Sequence, residues 1–378
     1  MTAARETSSP KLSSSKTPAE RSEFGFYLAV LPSYRTPCMD LLHAEFGSRV
    51  RAWVSDSHLD PTVRTDESVD WYSLVPMHRL LGRRIFVQLG GLREAVQLST
   101  LVVDLNPRSM TAWMLLAARR VLRRRTLVWG HMHPQAGAGA STGWLRRAMR
   151  KLAQGAISYT YSDRNRAIDE LPGRPIWVAP NALQRRPDMV IGEASVQRSA
   201  VIYVGRFARS KKVDLLVEAF GRAVARGLEA DLILVGAGEL DNEISRIVDS
   251  HGIESRVLRP GWIVDPTELG RYYARSFVSV SPGFAGLGLT QSLGYGVPSL
   301  VSRDEPHSPE IELADIGGVT FFETDNADSL AIAIRMAWAS RAEVPLTAVH
   351  EYVAANYSAE SMCAGLSAAL TGNDLIGV

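Results

Sequence analysis

Two basic residues stand where a predicted strand meets a predicted helix in the second half of the chain. Arg206 comes directly after the apolar residues 201–204 and Gly205, and Lys211 lies five residues later, just before an amphipathic stretch. A guanidinium and an ammonium group at the start of a helix can neutralise phosphate oxygens beside the exposed helical N–H groups. The pair therefore indicates a diphosphate-binding turn, with two solvated loop cations as the alternative.

Glycine recurs after the other predicted strands of this half. Gly236 and Gly238 follow one strand and Trp262 follows the next, and the small residues allow a ligand to approach the backbone closely. A denser glycine-rich segment, residues 281–298, opens a short predicted helix whose N–H groups and dipole can face phosphate oxygens. It is not a P-loop, because no Gly-Lys-Ser or Gly-Lys-Thr ends it. These residues extend the predicted anion site.

Charge is distributed unevenly along the chain. Residues 1–190 carry 27 Lys and Arg against 16 Asp and Glu, whereas the remainder carries 15 against 24, although the whole chain has a net charge of +2. Residues 105–162 contain ten basic residues and no acidic one. A basic first half attracts an anionic partner such as a phospholipid surface or a diphosphate-bearing lipid. A nucleic-acid partner is not expected, because no recognition motif accompanies the arginines and the second half is acidic.

A short segment of this basic region has an amphipathic pattern. Residues 144–152 place apolar side chains, Trp144 among them, on one helical face and basic side chains on the other. The basic residues are Arg146, Arg147, Arg150 and Lys151. This pattern is typical of a helix that lies in a membrane interface, and a core helix with a basic solvent face is the alternative. We predict Trp144 and the four basic residues on the membrane or acceptor side.

Nothing in the sequence predicts a membrane-spanning or secreted protein. The longest apolar stretch, residues 110–118, is far shorter than the ~20 residues of a spanning helix. The first 23 residues are polar and lack the apolar core of a secretory signal, so we expect a disordered leader. The only cysteines, Cys38 and Cys363, predict neither a disulfide framework nor a zinc site. We expect a cytoplasmic protein that docks peripherally on the inner face of a membrane.

The remaining sequence predicts two α/β domains with parallel sheets. The length of 378 residues fits two domains, and the balance of 46% apolar and 22% charged residues excludes a largely disordered or collagen-like chain. Apolar runs alternate with amphipathic stretches in both halves, as in parallel sheets. The predicted units are a leader (1–23), a first Rossmann-like domain (24–185), a second one (198–345) and a C-terminal crossing helix with a tail (346–378). Ligand sites are expected at the cleft where the carboxyl ends of both sheets meet.

Five ordered motifs within residues 200–340 carry a family resemblance. The segment 201–220 (VIYVGRFARSKKVDLLVEAF), the segment 233–238, Ser281-Pro282, Gly286-Leu287 and Gly296-Val297-Pro298 occur in the order and at the spacing of one family. The segment resembles the second domain of glycosyltransferase family 4, also described as glycosyl transferases group 1. The first domain resembles this family only loosely.

The resemblance implies a fold, a reaction and site residues. The implied fold is GT-B, and the implied reaction moves a sugar from a nucleotide-diphosphate sugar with retention of the anomeric configuration. It places Arg206 and Lys211 on the donor diphosphate, where cations stabilise the leaving nucleotide. It also places the backbone of Gly286 and Leu287 on the phosphates. From their positions after predicted strands, Gly205, Gly236, Gly238 and Trp262 are further candidates for donor binding. No metal and no cofactor are expected, since the sequence contains no Asp-x-Asp and the cations replace the metal.

The sequence departs from the family at a pair of glutamates. The family carries two, eight positions apart, near the donor sugar and the ribose, where this chain has Gly283 and Gln291. The amide of Gln291 can still bind a ribose hydroxyl, whereas Gly283 has no side chain to contact a sugar. Glu310 and Glu312 could supply a carboxylate, and solvated loop acids are the favoured alternative.

Two histidines end a predicted strand of the first domain. The resemblance places His131 against the donor sugar, with His133 in reserve, and we expect His131 to bind a sugar hydroxyl or to relay a proton near neutral pH. An ordinary loop histidine is the alternative for each. A zinc site is not expected, because no third ligand lies nearby.

The predicted function is glycosyl transfer to an acceptor that is lipid-linked or a surface-glycan precursor. A non-catalytic GT-B protein that binds a nucleotide sugar or a partner enzyme is the main alternative, because the glutamate pair is missing. A sugar-nucleotide epimerase shares the fold, but the sequence offers no cluster of acids and bases around a sugar.

Overall fold

The first half of the chain forms one parallel sheet and a separate hairpin. The computed structural model describes residues 22–59, 63–82, 84–133, 142–193 and 196–373. The strands are β1 (Phe24–Tyr27), β2 (Val50–Val54), β3 (Tyr72–Leu74), β4 (Met77–Leu80), β5 (Ile85–Gln88), β6 (Thr100–Asp104), β7 (Arg125–Gly130), β8 (Gly155–Ser158) and β9 (Ile176–Val178). The order β3-β2-β1-β6-β7-β8-β9 is parallel throughout, and β4 pairs with β5 in an antiparallel hairpin. We call this sheet with its helices the first domain.

Helices connect the strands and cover both faces of the first sheet. They are α1 (Thr36–Phe46), α2 (Leu92–Gln97), α3 (Met110–Val121), α4 (Gly143–Leu152) and α5 (Tyr161–Glu170). Because both faces are covered, strands such as β1 and β8 are buried along their whole length and read as continuous apolar runs. Ser109 and Thr160 cap the N-termini of α3 and α5 by accepting hydrogen bonds from backbone N–H groups.

The second domain repeats this architecture with six parallel strands. The strands are β10 (Ala200–Val204), β11 (Asp231–Val235), β12 (Val257–Gly261), β13 (Ser276–Ser281), β14 (Ser299–Ser302) and β15 (Val319–Phe322). The helices are α6 (Val213–Ala225), α7 (Asp241–His251), α8 (Pro266–Ala274), α9 (Leu287–Gly294) and α10 (Ala327–Ala339). The strand order is β12-β11-β10-β13-β14-β15. Two parallel α/β sheets were predicted, and this prediction is confirmed.

The last helix returns to the first domain, as predicted, whereas the helix before it packs on α9 of the second domain. After α11 (Thr347–Asn356), α12 (Ala359–Thr371) packs its apolar face into the core around α1 and β9. A Cβ atom at Gly365 would lie 2.0 Å from the carbonyl oxygen of Val178, so only glycine allows this approach. Arg125 then donates to the carbonyl oxygens of Ala369 and Leu370, both at 2.7 Å, at the C-terminus of α12. The crossing helix α12 therefore packs the C-terminal part of the chain against the first domain.

Each sheet has one point where the strand order reverses. In the first domain β1 lies between β2 and β6, and in the second β10 lies between β11 and β13. The chain connections that leave the two neighbouring strands at this point run in opposite directions, which opens a crevice at the carboxyl ends of the strands. The N–H of Ala29, just after β1, donates to Asp104 Oδ2 at the end of β6 at 2.5 Å. The fold thus predicts one ligand site in each domain.

The alternating apolar and amphipathic stretches of the sequence correspond to the strands and helices of both domains. The short elements β3, β4, β5 and β9 were not predicted, because their sequences lack a long apolar run. The predicted leader lies mostly outside the described residues. Arg119, one of the ten basic residues in the stretch 105–162, does not contribute to a basic surface. Its fully buried guanidinium donates to carbonyl oxygens at the end of α2, including those of Ala95 and Leu98.

Candidate active site

A cavity of about 500 Å³ lies at the carboxyl ends of β10 and β13, at the second strand-order reversal. We call it the second-domain cavity. Ser33 and Tyr34, in the loop after β1, close its far side, so both domains contribute to it. The predicted donor residues that line it are Gly205, Arg206, Lys211, Trp262, Gly286 and Leu287. The structure therefore brings together the cations and the glycine-rich turn that the sequence indicated.

Lys211 is held inside this cavity without a carboxylate partner among the described residues. Its Nζ donates to the carbonyl oxygen of Phe284 at 2.8 Å and lies 4.6 Å from the centre of the Phe284 ring. Burial and the nearby Arg206 guanidinium lower the pKa of Lys211 to about 8. Both effects disfavour the charged amine in the empty cavity, and a bound anion would reverse them.

The neighbouring Lys212 shows the opposite situation. Its Nζ contacts Glu305 and Asp325, both at 2.5 Å, and these carboxylates raise the pKa of Lys212. Lys212 is thus already neutralised by the protein, whereas Lys211 is not. The adjacent lysines provide a matched pair for experiments.

Gly283 has a structural reason to lack a side chain. A Cβ atom built at Gly283 would lie 2.4 Å from the carbonyl oxygen of Ser210 and 3.0 Å from the carbonyl carbon of Lys211. The Phe284 N–H donates to the same Ser210 oxygen at 3.0 Å. Because the two loops touch through their backbones, a glutamate at this position does not fit. The same backbone contact positions Lys211.

The N-terminus of α9 faces the cavity and is positioned by a histidine. Gly286 and Leu287 form the start of this helix, as the anion-site prediction requires. In the preceding turn, the Ala285 N–H donates to His307 Nδ1 at 3.0 Å, and His307 Nε2 lies 2.7 Å from the Ser302 carbonyl oxygen. This arrangement assigns the ring proton to Nε2 and ties the turn to β14.

Three other predicted donor residues lie beside the cavity rather than along it. A Cβ atom at Gly236 would lie 2.0 Å from the Gly205 carbonyl oxygen, and one at Gly238 would lie 2.6 Å from that of Phe207. These glycines therefore let the turns after β10 and β11 pack together. Gln291 accepts a hydrogen bond from the Tyr273 hydroxyl at 3.4 Å, and Tyr273 lines the cavity.

Glu310 and Glu312 are not solvated loop acids, so that alternative is wrong. Glu310 is 2% exposed, accepts hydrogen bonds from the Ser308 hydroxyl and from Asn181 Nδ2, the latter at 3.2 Å, and lies outside the second-domain cavity. Glu312 accepts from the backbone N–H groups of Tyr161 at 3.1 Å and Ser162 at 2.9 Å, at the start of α5 in the other domain. Both carboxylates connect the domains, and the donor role of Glu310 stays a prediction.

A second cavity, of about 620 Å³, lies at the strand-order reversal of the first domain. We call it the first-domain cavity. His131 lines it with its ring edge-on to Tyr159, and burial and Arg146 lower the pKa of His131 to about 4. Both effects favour the neutral ring, which suits binding of a sugar hydroxyl, and the proton relay stays a prediction. His133 instead lies between Asp163 and Glu170, at 2.9 Å from each carboxylate.

Arg35 and Asp104 are cavity residues that the sequence analysis missed. The Arg35 guanidinium lies 4.4 Å from the centre of the Trp129 ring, and its Nη2 donates to the Tyr159 hydroxyl at 2.6 Å. Burial raises the pKa of Asp104 to about 6, although the Ala29 N–H and Arg35 oppose this shift. Their positions in the chain could have indicated both residues, because Asp104 ends β6 and Arg35 follows β1, where the strand order of the first sheet reverses.

The five residues predicted on the membrane or acceptor side separate into two groups. Trp144, Arg147 and Lys151 are exposed. Arg146 points inward instead, lines the first-domain cavity and donates to the carbonyl oxygens of Leu105 and His131 at 2.7 and 2.9 Å. Arg150 is buried and paired with Glu170, so its predicted membrane-facing position is wrong.

Comparisons with known proteins agree with this geometry. Residues 198–340 match the model of the family described as glycosyl transferases group 1. Over 228 residues, or 59% of this chain, the sequence is 24% identical to alpha-D-kanosaminyltransferase of Streptomyces kanamyceticus. That match spans half the length of this curated relative.

Solved structures extend the likeness to both domains. Anabaena HepE in complex with UDP aligns with a TM-score of 0.68 and 12% identity, covering 93% of this chain and 100% of that one. A glycosyltransferase from Rickettsia africae ESF-5 aligns with a TM-score of 0.67 and 11% identity over 93% and 100% of the two chains. At these identities the likeness shows the fold alone, and it confirms the predicted GT-B architecture.

The contact at Gly283 yields a first prediction. Replacing Gly283 with Glu, the residue that the family usually has, should lower the free energy of unfolding by about 2 kcal/mol or more, because the new side chain overlaps the Ser210 backbone. It should also weaken nucleotide binding, because Lys211 is displaced. Thermal unfolding and nucleotide titration measure the two effects.

Gly288→Ala is the matched control for this substitution. A Cβ atom at Gly288 meets only the Val204 carbonyl oxygen, at 3.7 Å, so this variant should keep wild-type stability. A Gly283→Glu protein as stable as the wild type would contradict the described packing of the two loops.

Proposed function

Because residues 198–340 belong to the group 1 glycosyl transferases and the chain has the GT-B fold, we propose that the protein is a glycosyltransferase. It transfers a sugar from a nucleoside diphosphate sugar to an acceptor, without a metal ion and with retention of the anomeric configuration. The observation that carries the proposal is the unneutralised pair of Arg206 and Lys211 beside the start of α9. Such a site is complementary to a diphosphate.

The donor base is proposed to be uracil. HepE, which has the same fold, was crystallised with UDP. In this chain Trp262 is 58% exposed and lines the second-domain cavity, so its ring can stack on a planar base. Uridine diphosphate would then lie between Trp262 and the two cations.

Each site residue has a defined role in the proposed reaction. As the bond between the sugar and the diphosphate breaks, negative charge grows on the leaving phosphate. Arg206, Lys211 and the N–H groups at Gly286 and Leu287 stabilise this charge, and they are already in place before the reaction. His131 is neutral, and it lines both the first-domain cavity and a space at the domain junction that includes Ser308. It is suited to bind a hydroxyl of the transferred sugar.

The test is turnover of the donor. Purified protein is incubated with UDP-glucose and with other uridine and guanosine diphosphate sugars, and release of the nucleoside diphosphate is measured by chromatography. We expect release above background and a loss of about 100-fold in Arg206→Ala, the size of effect seen when one charge-stabilising donor is removed. Proton NMR of the released sugar, which distinguishes the anomers, tests retention.

A non-catalytic nucleotide-sugar-binding protein remains the second candidate. The observation that favours it is the absence of a carboxylate at Gly283 and Gln291. Wild-type protein that binds UDP but releases it from every donor no faster than Arg206→Ala does would establish this second candidate and contradict catalysis.

We also propose that the first domain docks on an anionic membrane. No helix among the described residues is long and apolar enough to cross a membrane. However, α3 and α4 pack side by side and expose both apolar and basic side chains. The exposed residues are Met110, Met114, Arg120, Val121, Leu122, Arg123, Arg124, Trp144, Arg147 and Lys151. Apolar insertion combined with positive charge is the chemistry of interfacial binding.

Vesicle sedimentation tests this docking surface. The protein should bind vesicles of equal parts phosphatidylglycerol and phosphatidylcholine and should not bind phosphatidylcholine alone. The double variant Trp144→Ser/Arg147→Ser should bind about tenfold more weakly, because each basic residue contributes ~1 kcal/mol and the tryptophan adds apolar insertion.

Trp262→Ser, which removes a similarly exposed tryptophan from the other domain, should bind vesicles as the wild type does. Equal binding to both kinds of vesicle, or an unaffected double variant, would argue against docking through α3 and α4.

A further inference from the structure

The first-domain cavity carries an excess of positive charge. Arg35, Arg108 and Arg146 line it, and Asp104 is the one carboxylate among its described lining residues. Burial raises the pKa of Asp104 to about 6, although the Ala29 N–H and the Arg35 charge oppose this shift. The pKa of His131 is lowered to about 4, by burial and also by Arg146 and Arg35, and its ring adds no charge. Within the described part of the chain, the cavity has more cations than its own acid can neutralise.

Several buried donors in this cavity also lack partners. The Nε atoms of Arg35 and Arg146 and the Nε1 atom of Trp129 are buried without a hydrogen-bond partner in the described structure. Arg35 is itself 7% exposed. Leaving buried N–H groups unpaired is unfavourable, so each such group in a folded protein calls for an explanation. A ligand that supplies negative oxygen atoms would relieve the charge excess beside these unpaired groups.

Arg108 stands at the entrance of the cavity. It lies in the loop between β6 and α3, its side chain is exposed, and its guanidinium makes no hydrogen bond to the described residues. Burial lowers the pKa of Arg146, and the nearby Arg108 charge adds to this shift. A ligand entering the cavity therefore meets Arg108 first and Arg146 deeper inside.

We propose that the first-domain cavity binds an acceptor that carries an anionic group, a phosphate or a carboxylate, close to the hydroxyl that receives the sugar. That the ligand is an acceptor rests on the proposed glycosyl transfer, and that it carries an anionic group rests on the cavity itself. Arg108 and Arg146 hold the anionic group, and Asp104 accepts a hydrogen bond from a hydroxyl. A neutral sugar leaves the arginines unpaired and is discriminated against, because specificity arises where unmet polar groups are buried.

Calorimetric titration with small soluble probes tests the inference. Glucose 6-phosphate and glucuronate represent the two anions, and methyl glucoside represents a neutral sugar. We expect both anions to bind at least tenfold more tightly than methyl glucoside, and Arg108→Gln to remove about tenfold of that advantage, as for the loss of one charge-assisted hydrogen bond. Arg93→Gln, which changes an exposed arginine on α2 that does not line the cavity, should have no effect.

Two further measurements distinguish the possible binding sites and the possible sources of the anionic group. Anion binding that persists in Arg206→Ala is binding outside the donor site, whereas loss in Arg206→Ala with none in Arg108→Gln would overturn the inference. Binding of glycerol 1-phosphate and of phosphatidylglycerol vesicles is compared between wild type and Arg108→Gln. This comparison distinguishes a free phosphate from a lipid headgroup, and binding of either that depends on Arg108 supports the inference.

The anion-binding result can be interpreted whether or not the protein transfers a sugar from the donor. If donor turnover succeeds while no anionic probe binds, or methyl glucoside binds as tightly, the acceptor inference fails alone. If UDP neither binds nor is released while Arg108-dependent anion binding is observed, the proposed transfer fails and the anion site remains.

Discussion

The second-domain cavity depends on one close backbone contact. Because Gly283 has no side chain, the turn after β13 reaches Ser210, and the Phe284 carbonyl oxygen comes within 2.8 Å of Lys211 Nζ. The lysine is thereby fixed in a buried position beside Arg206, where its charge is disfavoured until an anion arrives. The residue that departs from the family pattern is thus the one that allows the turn after β13 to contact the Lys211 loop.

The two domains are connected through a short chain of buried polar groups that starts in the first-domain cavity. Glu310 of the second domain accepts a hydrogen bond from Asn181, and Asn181 accepts one from Arg35 at 3.3 Å in the first-domain cavity. Glu312 adds a second link, since it accepts from the first N–H groups of α5 and so satisfies donors at a helix start. Both links hold the first domain in a fixed position relative to the donor site, which suits a reaction between ligands bound in different domains.

The sequence was informative where a residue's position in the α/β pattern determined its surroundings. Arg206, Lys211 and Gly286 follow strands of the second sheet, so their convergence at one edge followed from the fold. Arg35, Asp104 and the burial of Glu310 were missed, because they depend on which strands lie next to each other and on contacts between the domains. Arg119 and Arg150 were misjudged for a similar reason: an arginine in a basic stretch has the same sequence signal whether it faces solvent or caps a neighbouring helix.

The pH dependence of UDP binding tests the central claim that Lys211 is an unneutralised cation awaiting a diphosphate. Its pKa of about 8 means that the binding-competent cation is lost as the pH rises. The dissociation constant for UDP should therefore increase about tenfold between pH 7 and pH 9, stay flat in Lys211→Arg, and follow the wild type in Lys212→Gln. A wild-type dissociation constant that does not change over this range, or an equal increase in Lys211→Arg, would contradict the account.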